Sequence, residues 1–177
     1  MELDLLKYIR NIPDFPVKGI QFKDITTLAK DPIAFKYTID KLYEHYKAKK
    51  IDKICAIESR GYVFGAPLAY LLNAGFILIR KPGKLPAEVY SESYELEYGV
   101  NKIEMHKDAI NKGDKVLILD DLLATGGTTL ATINLVKRSG GEIVGTAFVI
   151  ELTGSLHGRE KLKGYDVFSL VKIPVEE

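Results

Sequence analysis

The chain has 177 residues, 46% of them hydrophobic and 28% charged, which suits one domain with its own core and excludes a disordered, collagenous or disulfide-stapled protein. Lys and Arg number 25 against 24 Asp and Glu, a formal net charge of +1, so bulk electrostatics argue against a general nucleic-acid binder and any anion site must be local. The single cysteine, Cys55, excludes an intramolecular disulfide, and with no signal peptide recognisable at the N-terminus the expected compartment is the cytoplasm.

Leu3, Leu5, Leu6 and Ile9 predict a short N-terminal helix that ends before Asn11-Ile12-Pro13. Residues 13–27 (PDFPVKGIQFKDITT) contain two prolines and a glycine that break any regular period, and read as an ordered irregular segment. Asp31-Pro32 supplies an N-cap and a first-turn proline for a helix to about Lys49, with Ile33, Phe35, Ile39 and Leu42 on its apolar face. Residues 51–57, 76–79, 116–119, 143–150 and 167–173 are the strand candidates, and helical stretches separate most of them. That alternation predicts an α/β fold with a central, mostly parallel five-stranded sheet flanked by helices. Cys55, inside the apolar run 54–57, is expected to be a buried structural thiol.

The most apolar segment, 63–79, contains Pro67, Asn73 and two glycines, whereas a membrane span needs roughly 20 continuous apolar residues. It is core. Residues 87–105, with Tyr90, Tyr94, Tyr98 and several glutamates, read instead as a long excursion in the form of a two-stranded flap able to close over a ligand. His45, His106 and His157 have no metal-ligand spacing, and with one cysteine no protein-built zinc site is expected. His45 reads as helical and exposed, the other two as loop residues.

The chemistry concentrates in residues 115–129, KVLILDDLLATGGTT. Val116 to Leu119 form a continuous β-branched and aliphatic run, suited to a strand buried on both faces of a parallel sheet. Asp120 and Asp121 are expected at its C-terminal end, the edge beyond which ligands bind in open α/β sheets. The turn Ala124-Thr125-Gly126-Gly127-Thr128 then opens onto a helix from Thr129 to Arg138. Glycines allow close backbone approach to an anion, the hydroxyls of Thr125, Thr128 and Thr129 can donate to it, and free N–H groups at a helix start carry partial positive charge. Two ionised acceptors suit vicinal ribose hydroxyls better than a phosphate. The whole therefore reads as a site for a phosphorylated sugar, distinct from the Walker A and GxGxxG patterns.

Two further clusters fall at strand ends. Glu58-Ser59-Arg60-Gly61 can present an arginine fork and backbone donors to phosphate, and Arg80, Lys81 and Lys84 fall in a loop interleaved with Pro82 and Gly83.

The run DDLLATGGT resembles the phosphoribosyl-pyrophosphate motif of the type I phosphoribosyltransferases, in the form found in the adenine phosphoribosyltransferases. DFPVKGIQFKDIT, ESRGYVFG, RKPGKLP, SYELEYG and ELTGSLHGREKL occur in that family's order over nearly the whole chain. The resemblance implies one domain over 1–177, in which 1–30 contribute a hood and 82–105 a flexible catalytic loop. It implies transfer of 5-phosphoribose from phosphoribosyl pyrophosphate to N9 of adenine, yielding AMP and pyrophosphate, with Mg²⁺ held by substrate and water and by no protein ligand. The implied roles are Asp120, Asp121, Ala124, Thr125, Gly126, Gly127 and Thr128 for the phosphoribosyl group, and Ser59, Arg60, Arg80, Lys81 and Lys84 for pyrophosphate. Gln21, Phe22, Lys23 and Leu152 would hold adenine, and Glu97 would be the general acid/base. Lys23 departs from the arginine often found there, and an ammonium cannot reproduce a planar fork. A non-proline cis peptide is expected at Glu58-Ser59, and a homodimer whose candidate interface follows Arg60. The alternatives are a phosphoribosyltransferase for another purine base and a purine-sensing regulator on this fold, for which the region before Asp31 is too short to hold a winged helix.

Overall fold

The computed structural model describes residues 1–96 and 99–176. The N-terminal helix is a single 3-10 turn, Leu5–Tyr8, capped by the Asp4 carboxylate. The segment expected to be irregular instead contains an antiparallel hairpin of β1 (Arg10–Pro13) and β2 (Gln21–Asp24), followed by a one-turn helix, α1 (Thr26–Ala29). Four-residue strands are too short to show an alternating pattern. The connection that breaks the period contains a cis Phe15–Pro16 bond, Asp14 at φ 56° and Gly19 at φ 93°.

Asp31 caps α2 (Pro32–Tyr46), its carboxylate accepting from the N–H groups of Ile33 and Ala34. The buried face of α2 is Ala34, Thr38, Ile39, Leu42 and Tyr46. Ile33, expected on that face, is exposed, because the i, i+4, i+8 stripe starts from Ala34. Beyond α2 come β3 (Lys53–Ile57), α3 (Arg60–Leu72), β4 (Gly75–Ile79), β5 (Val89–Glu95), β6 (Val100–His106), β7 (Lys115–Leu123), α4 (Gly127–Arg138), β8 (Glu142–Gly154), α5 (Gly158–Lys161) and β9 (Val167–Val175).

Five of these strands form one parallel sheet in the order β4-β3-β7-β8-β9. β7 is central, and its side chains alternate between two cores. Leu117 and Leu119 join Leu42, Phe64 and Leu68 under α2 and α3, while Val116 and Ile118 join Ile133, Leu135 and Val136 of α4 and Ile103 and Met105 of β6. Both faces are therefore apolar, which explains the unbroken hydrophobic run; each such side chain contributes roughly 1.5–3 kcal/mol of burial. Cys55 is fully buried among them, and burial pushes its thiol pKa far up. Among the described residues no helix is long and apolar enough to cross a membrane.

β5 and β6 pair antiparallel as the expected two-stranded excursion, with His106 as the last residue of β6 and not in a loop. The hairpin leans on α4: the Arg138 guanidinium lies 4.6 Å from the centre of the Tyr90 ring and donates to the Ser91 carbonyl. His45 is exposed on α2, stacked on Phe168 with ring centres 3.6 Å apart.

Tight contacts set the helix positions. A Cβ on Gly65 of α3 would lie 2.8 Å from the Ala56 Cβ and 3.1 Å from the Phe76 ring, so α3 reaches the sheet only because residue 65 has no side chain. Gly65→Val should therefore destabilise the fold by about 1–3 kcal/mol in urea unfolding; an unchanged midpoint would contradict this close approach.

At the other end of the sheet the buried Glu151 carboxylate accepts from Arg159 Nε at 2.8 Å, Arg159 Nη2 at 2.5 Å and the Ser169 hydroxyl at 2.6 Å. The Arg159 hydrogen bonds above all hold its pKa below the ordinary glutamate value, despite burial acting the other way. A depressed carboxyl pKa stabilises the fold above the unfolded-state value, about 4.3, and that stabilisation is lost as pH falls through the folded-state value. Glu151→Gln should accordingly flatten the acid limb of the stability profile below about pH 4.3, as read by thermal melting at successive pH values.

Candidate functional site

The aspartates do not sit just past the end of a strand, as the apolar run predicts. β7 continues through them to Leu123, pairing Asp120 with Phe148, Leu122 with Ile150 and Leu123 with Glu151 of β8. On its other side β7 leaves its last partner in β3 at Leu119, opposite Ala56. Asp120 and Asp121 therefore project where β7 has outrun β3, beside the start of α3. Gly61 makes this possible: a Cβ there would lie 3.1 Å from the Leu119 carbonyl and 3.2 Å from the Asp120 carboxylate.

Asp121 is buried and accepts from Arg60 Nε at 2.6 Å. The Arg60 guanidinium also lies 5.4 Å from the centre of the Phe22 ring, which meets Phe15 edge-on at 5.1 Å. The β1–β2 hairpin is thus brought over the strand ends by Phe22. Half of the Arg60 side chain is exposed, so its guanidinium donates to Asp121 through Nε while remaining open to solvent. Asp120 accepts from the Asp121 N–H at 2.8 Å, and burial, then the neighbouring Asp121 carboxylate, raise its pKa well above the ordinary aspartate value. Asp120 thus keeps its proton to a higher pH than an ordinary carboxyl group.

Ala124, Thr125 and Gly126 form the turn into α4, with Gly126 at φ 83° as the residue before the helix. Thr125 is exposed and Thr128 half-buried, whereas Thr129, a proposed donor, is buried. Among the described residues no side-chain hydrogen bond caps this helix start, which leaves its N–H groups open to an anion. Two contacts keep the turn narrow. A Cβ on Gly127 would lie 3.4 Å from the Tyr94 ring of β5, and one on Gly158 of α5 would lie 2.3 Å from the Ala124 carbonyl. Gly158 was not singled out from sequence, because only tertiary packing brings α5 against the turn.

The cationic loop after β4 is tied to the Ser59 turn by Glu58, whose peptide bond to Ser59 is cis. Glu58 accepts from Arg80 Nη2 at 3.0 Å and from the Lys81 N–H at 2.8 Å. Although burial acts the other way, Arg80 and the Lys81 N–H keep its pKa below the usual glutamate range. Arg80 Nε is buried with no acceptor, while Lys81 and Lys84 are exposed. Sequence reading quoted Glu58 without giving it a function; a carboxylate between two basic turns was its only signal.

Of the base-site candidates, Gln21 and Lys23 are both held by Asn11, whose amide donates to Gln21 Oε1 at 2.8 Å and whose Oδ1 accepts from Lys23 Nζ at 2.6 Å. Asn11 is a further residue that the sequence did not flag. Leu152 lies near the C-terminal end of β8, one residue past the Leu123–Glu151 pair. Glu97 falls outside the described residues; on either side of the gap, the Leu96 N–H donates to the Gly99 carbonyl at 2.9 Å. Among the described residues no group of three or more His, Cys, Asp or Glu side chains is placed to hold a metal ion.

The arrangement combines an uncapped helix start, a carboxylate pair and two cationic turns on one edge of a parallel sheet. That chemistry fits a sugar carrying phosphate at one end and a larger anion at the other.

Comparison with known proteins agrees. The family model for the phosphoribosyl transferase domain matches residues 24–176. The chain is 61% identical over 170 residues to the adenine phosphoribosyltransferase of Halothermothrix orenii, covering 96% of this chain and 99% of that protein. Among solved structures, the adenine phosphoribosyltransferase of Thermoanaerobacter pseudethanolicus superposes with a TM-score of 0.93 at 54% identity, over 96% of this chain and 98% of the other. The Saccharomyces cerevisiae enzyme, crystallised with adenine and an imino-altritol bisphosphate, gives 0.87 at 40% identity, over 94% and 96%. By its sheet order, by the carboxylate pair and glycine turn of β7 and α4, and by these likenesses, the chain belongs to the adenine phosphoribosyltransferases of the type I phosphoribosyltransferase family.

Proposed function

We propose that this protein transfers 5-phosphoribose from phosphoribosyl pyrophosphate to N9 of adenine, forming AMP and pyrophosphate in purine salvage, within one domain spanning 1–177. The observation that carries this reading is the position of Asp120 and Asp121, between the uncapped turn of α4 and the cationic turns at Ser59 and Arg80. Likeness to relatives named for this reaction supports it.

In this reading Ala124, Thr125, Gly126, Gly127 and Thr128 cradle the 5-phosphate, and the aspartates orient the ribose hydroxyls. Ser59, Arg60, Arg80, Lys81 and Lys84 hold the pyrophosphate. As the C1′–O bond breaks, negative charge grows on the leaving pyrophosphate, where fixed cations and backbone donors stabilise it. Arg60 exchanges Asp121 for the incoming anion, which also frees the Asp121 carboxylate for the sugar. Mg²⁺ would be held by substrate and water and by no protein ligand. When bound it supplies charge neutralisation on the diphosphate. Phe22, on the hood formed by residues 1–30, and Leu152 sandwich the base, with Gln21 and Lys23 at its edge. Glu97, in the catalytic loop 82–105, takes the N9 proton.

The protein is assigned to the cytoplasm as a homodimer. The exposed apolar side chains Val63, Tyr70 and Leu71 of α3 support a subunit interface on that helix.

Incubation with phosphoribosyl pyrophosphate, Mg²⁺ and each nucleobase in turn tests the assignment directly. Adenine should give nucleotide and pyrophosphate, while hypoxanthine should be rejected, because groups matched to a 6-amino function are left unpaired against a 6-oxo one. Comparable turnover of the two bases would refute the base assignment. Thr125→Val with Gly127→Val removes a hydroxyl donor and places bulk against Tyr94 and the phosphate, so sugar-phosphate binding should be lost; wild-type affinity would rule out the cradle. Glu97→Gln retains size but cannot accept the proton, so single-turnover AMP formation should slow by roughly 10²–10⁴-fold while phosphoribosyl pyrophosphate still binds.

A further inference from the structure

Glu104 sits in β6 between Ile103 and Met105, both buried in the core beneath the hairpin. Strand alternation turns its carboxylate to the opposite side. There Oε1 accepts from the Gly83 N–H at 2.8 Å and Oε2 from the Ser91 hydroxyl of β5 at 2.7 Å. The Ser91 hydrogen bond above all, then the Gly83 N–H, lower its pKa below the ordinary glutamate value. Its backbone makes a reciprocal pair with Arg80: the Arg80 N–H donates to the Glu104 carbonyl at 3.0 Å, and the Glu104 N–H to the Arg80 carbonyl at 2.7 Å. The cationic loop is thus gripped at both ends, by Glu58 at Arg80 and Lys81 and by Glu104 at Gly83.

Electrostatics alone make this a poor place for a glutamate. A carboxylate bonded to the loop that carries Arg80, Lys81 and Lys84 weakens their attraction for a polyanion. What it supplies instead is geometry, because Gly83 has φ +79° and, among the described residues, its N–H donates to no other side chain. We infer that Glu104 is a positioning residue that locks the 80–84 loop to the β5–β6 hairpin, so that the loop's cations converge on the pyrophosphate end of the substrate. It acts through Gly83 and Ser91 without touching substrate. The inference rests on the assignment of Arg80, Lys81 and Lys84 to pyrophosphate.

The test is calorimetric binding of phosphoribosyl pyrophosphate and, separately, AMP to the full chain with Mg²⁺, together with melting temperature. Glu104→Ala should lose roughly tenfold in affinity for phosphoribosyl pyrophosphate, the effect of one charge-assisted hydrogen bond, with AMP affinity unchanged and at most a small fall in melting temperature. Glu104→Gln should bind at least as tightly as the native chain, because its amide can accept from Gly83 and donate to the Ser91 oxygen. Ser91→Ala, which leaves the Gly83 bond in place, should show a smaller loss than Glu104→Ala. If charge alone matters, both Glu104 variants bind phosphoribosyl pyrophosphate more tightly than the native chain, and the inference fails. It fails equally if Glu104→Ala weakens AMP in proportion, which marks a merely structural strut. Arg80→Ala separates the two levels. If that variant binds phosphoribosyl pyrophosphate normally, the pyrophosphate assignment itself is wrong; if it binds poorly while Glu104→Ala is silent, only the positioning role is.

Discussion

The run of β7 past the end of β3 is the constraint on which the site depends. Up to Leu119, β7 is paired on both sides and apolar on both faces, and so is fixed as rigidly as any part of the molecule. From Asp120 onward it keeps β8 but has lost β3, and its two carboxylates occupy the edge thus opened. Gly61 lets α3 begin against that edge, which places Arg60 within hydrogen-bonding distance of Asp121. The turn into α4 follows directly, with Gly158 of α5 pressed against it from the C-terminal side. One strand overhang therefore brings two carboxylates, a cation and a helix start to one edge of the sheet.

Two of the site's basic side chains are paired with acids. Arg60 is held by Asp121, and Arg80 by Glu58. Under the proposed function a polyanion entering the site would compete with these two carboxylates. Arg60 is half-exposed, so the pair's net contribution is modest. Asp121 is buried, and a buried carboxylate stripped of its partner is costly unless another donor replaces it. Under the proposed function ribose hydroxyls are such donors, which would link release of Arg60 to seating of the sugar. Glu58 also bonds the Lys81 N–H, so it shapes the loop while it neutralises the arginine.

The order and type of the sheet elements were legible because both sheet faces are covered, which leaves continuous apolar runs bounded by turns. The Asp31-Pro32 cap was legible because capping is local. The β1–β2 hairpin was not: its strands are four residues each, and it is held by long-range contacts such as Arg10 with Asp24 and Phe22 with Arg60. Ile33 was misplaced because a helix of 3.6 residues per turn accommodates more than one apolar stripe, and only the packing partner selects between them.

By itself the sequence determined which strand carries the adjacent carboxylates, which turn has the glycines, and which loops are basic. These follow from residue type and spacing over a few positions. Tertiary structure alone decided how far β7 overhangs β3, that Arg60 pairs with Asp121, that Gly158 backs the Ala124 turn, and that Glu58 and Glu104 grip the basic loop from two sides. Those contacts join residues roughly 20 to 60 positions apart, and no local propensity encodes them. They exist because the parallel crossovers bring several strand ends to one edge of the sheet.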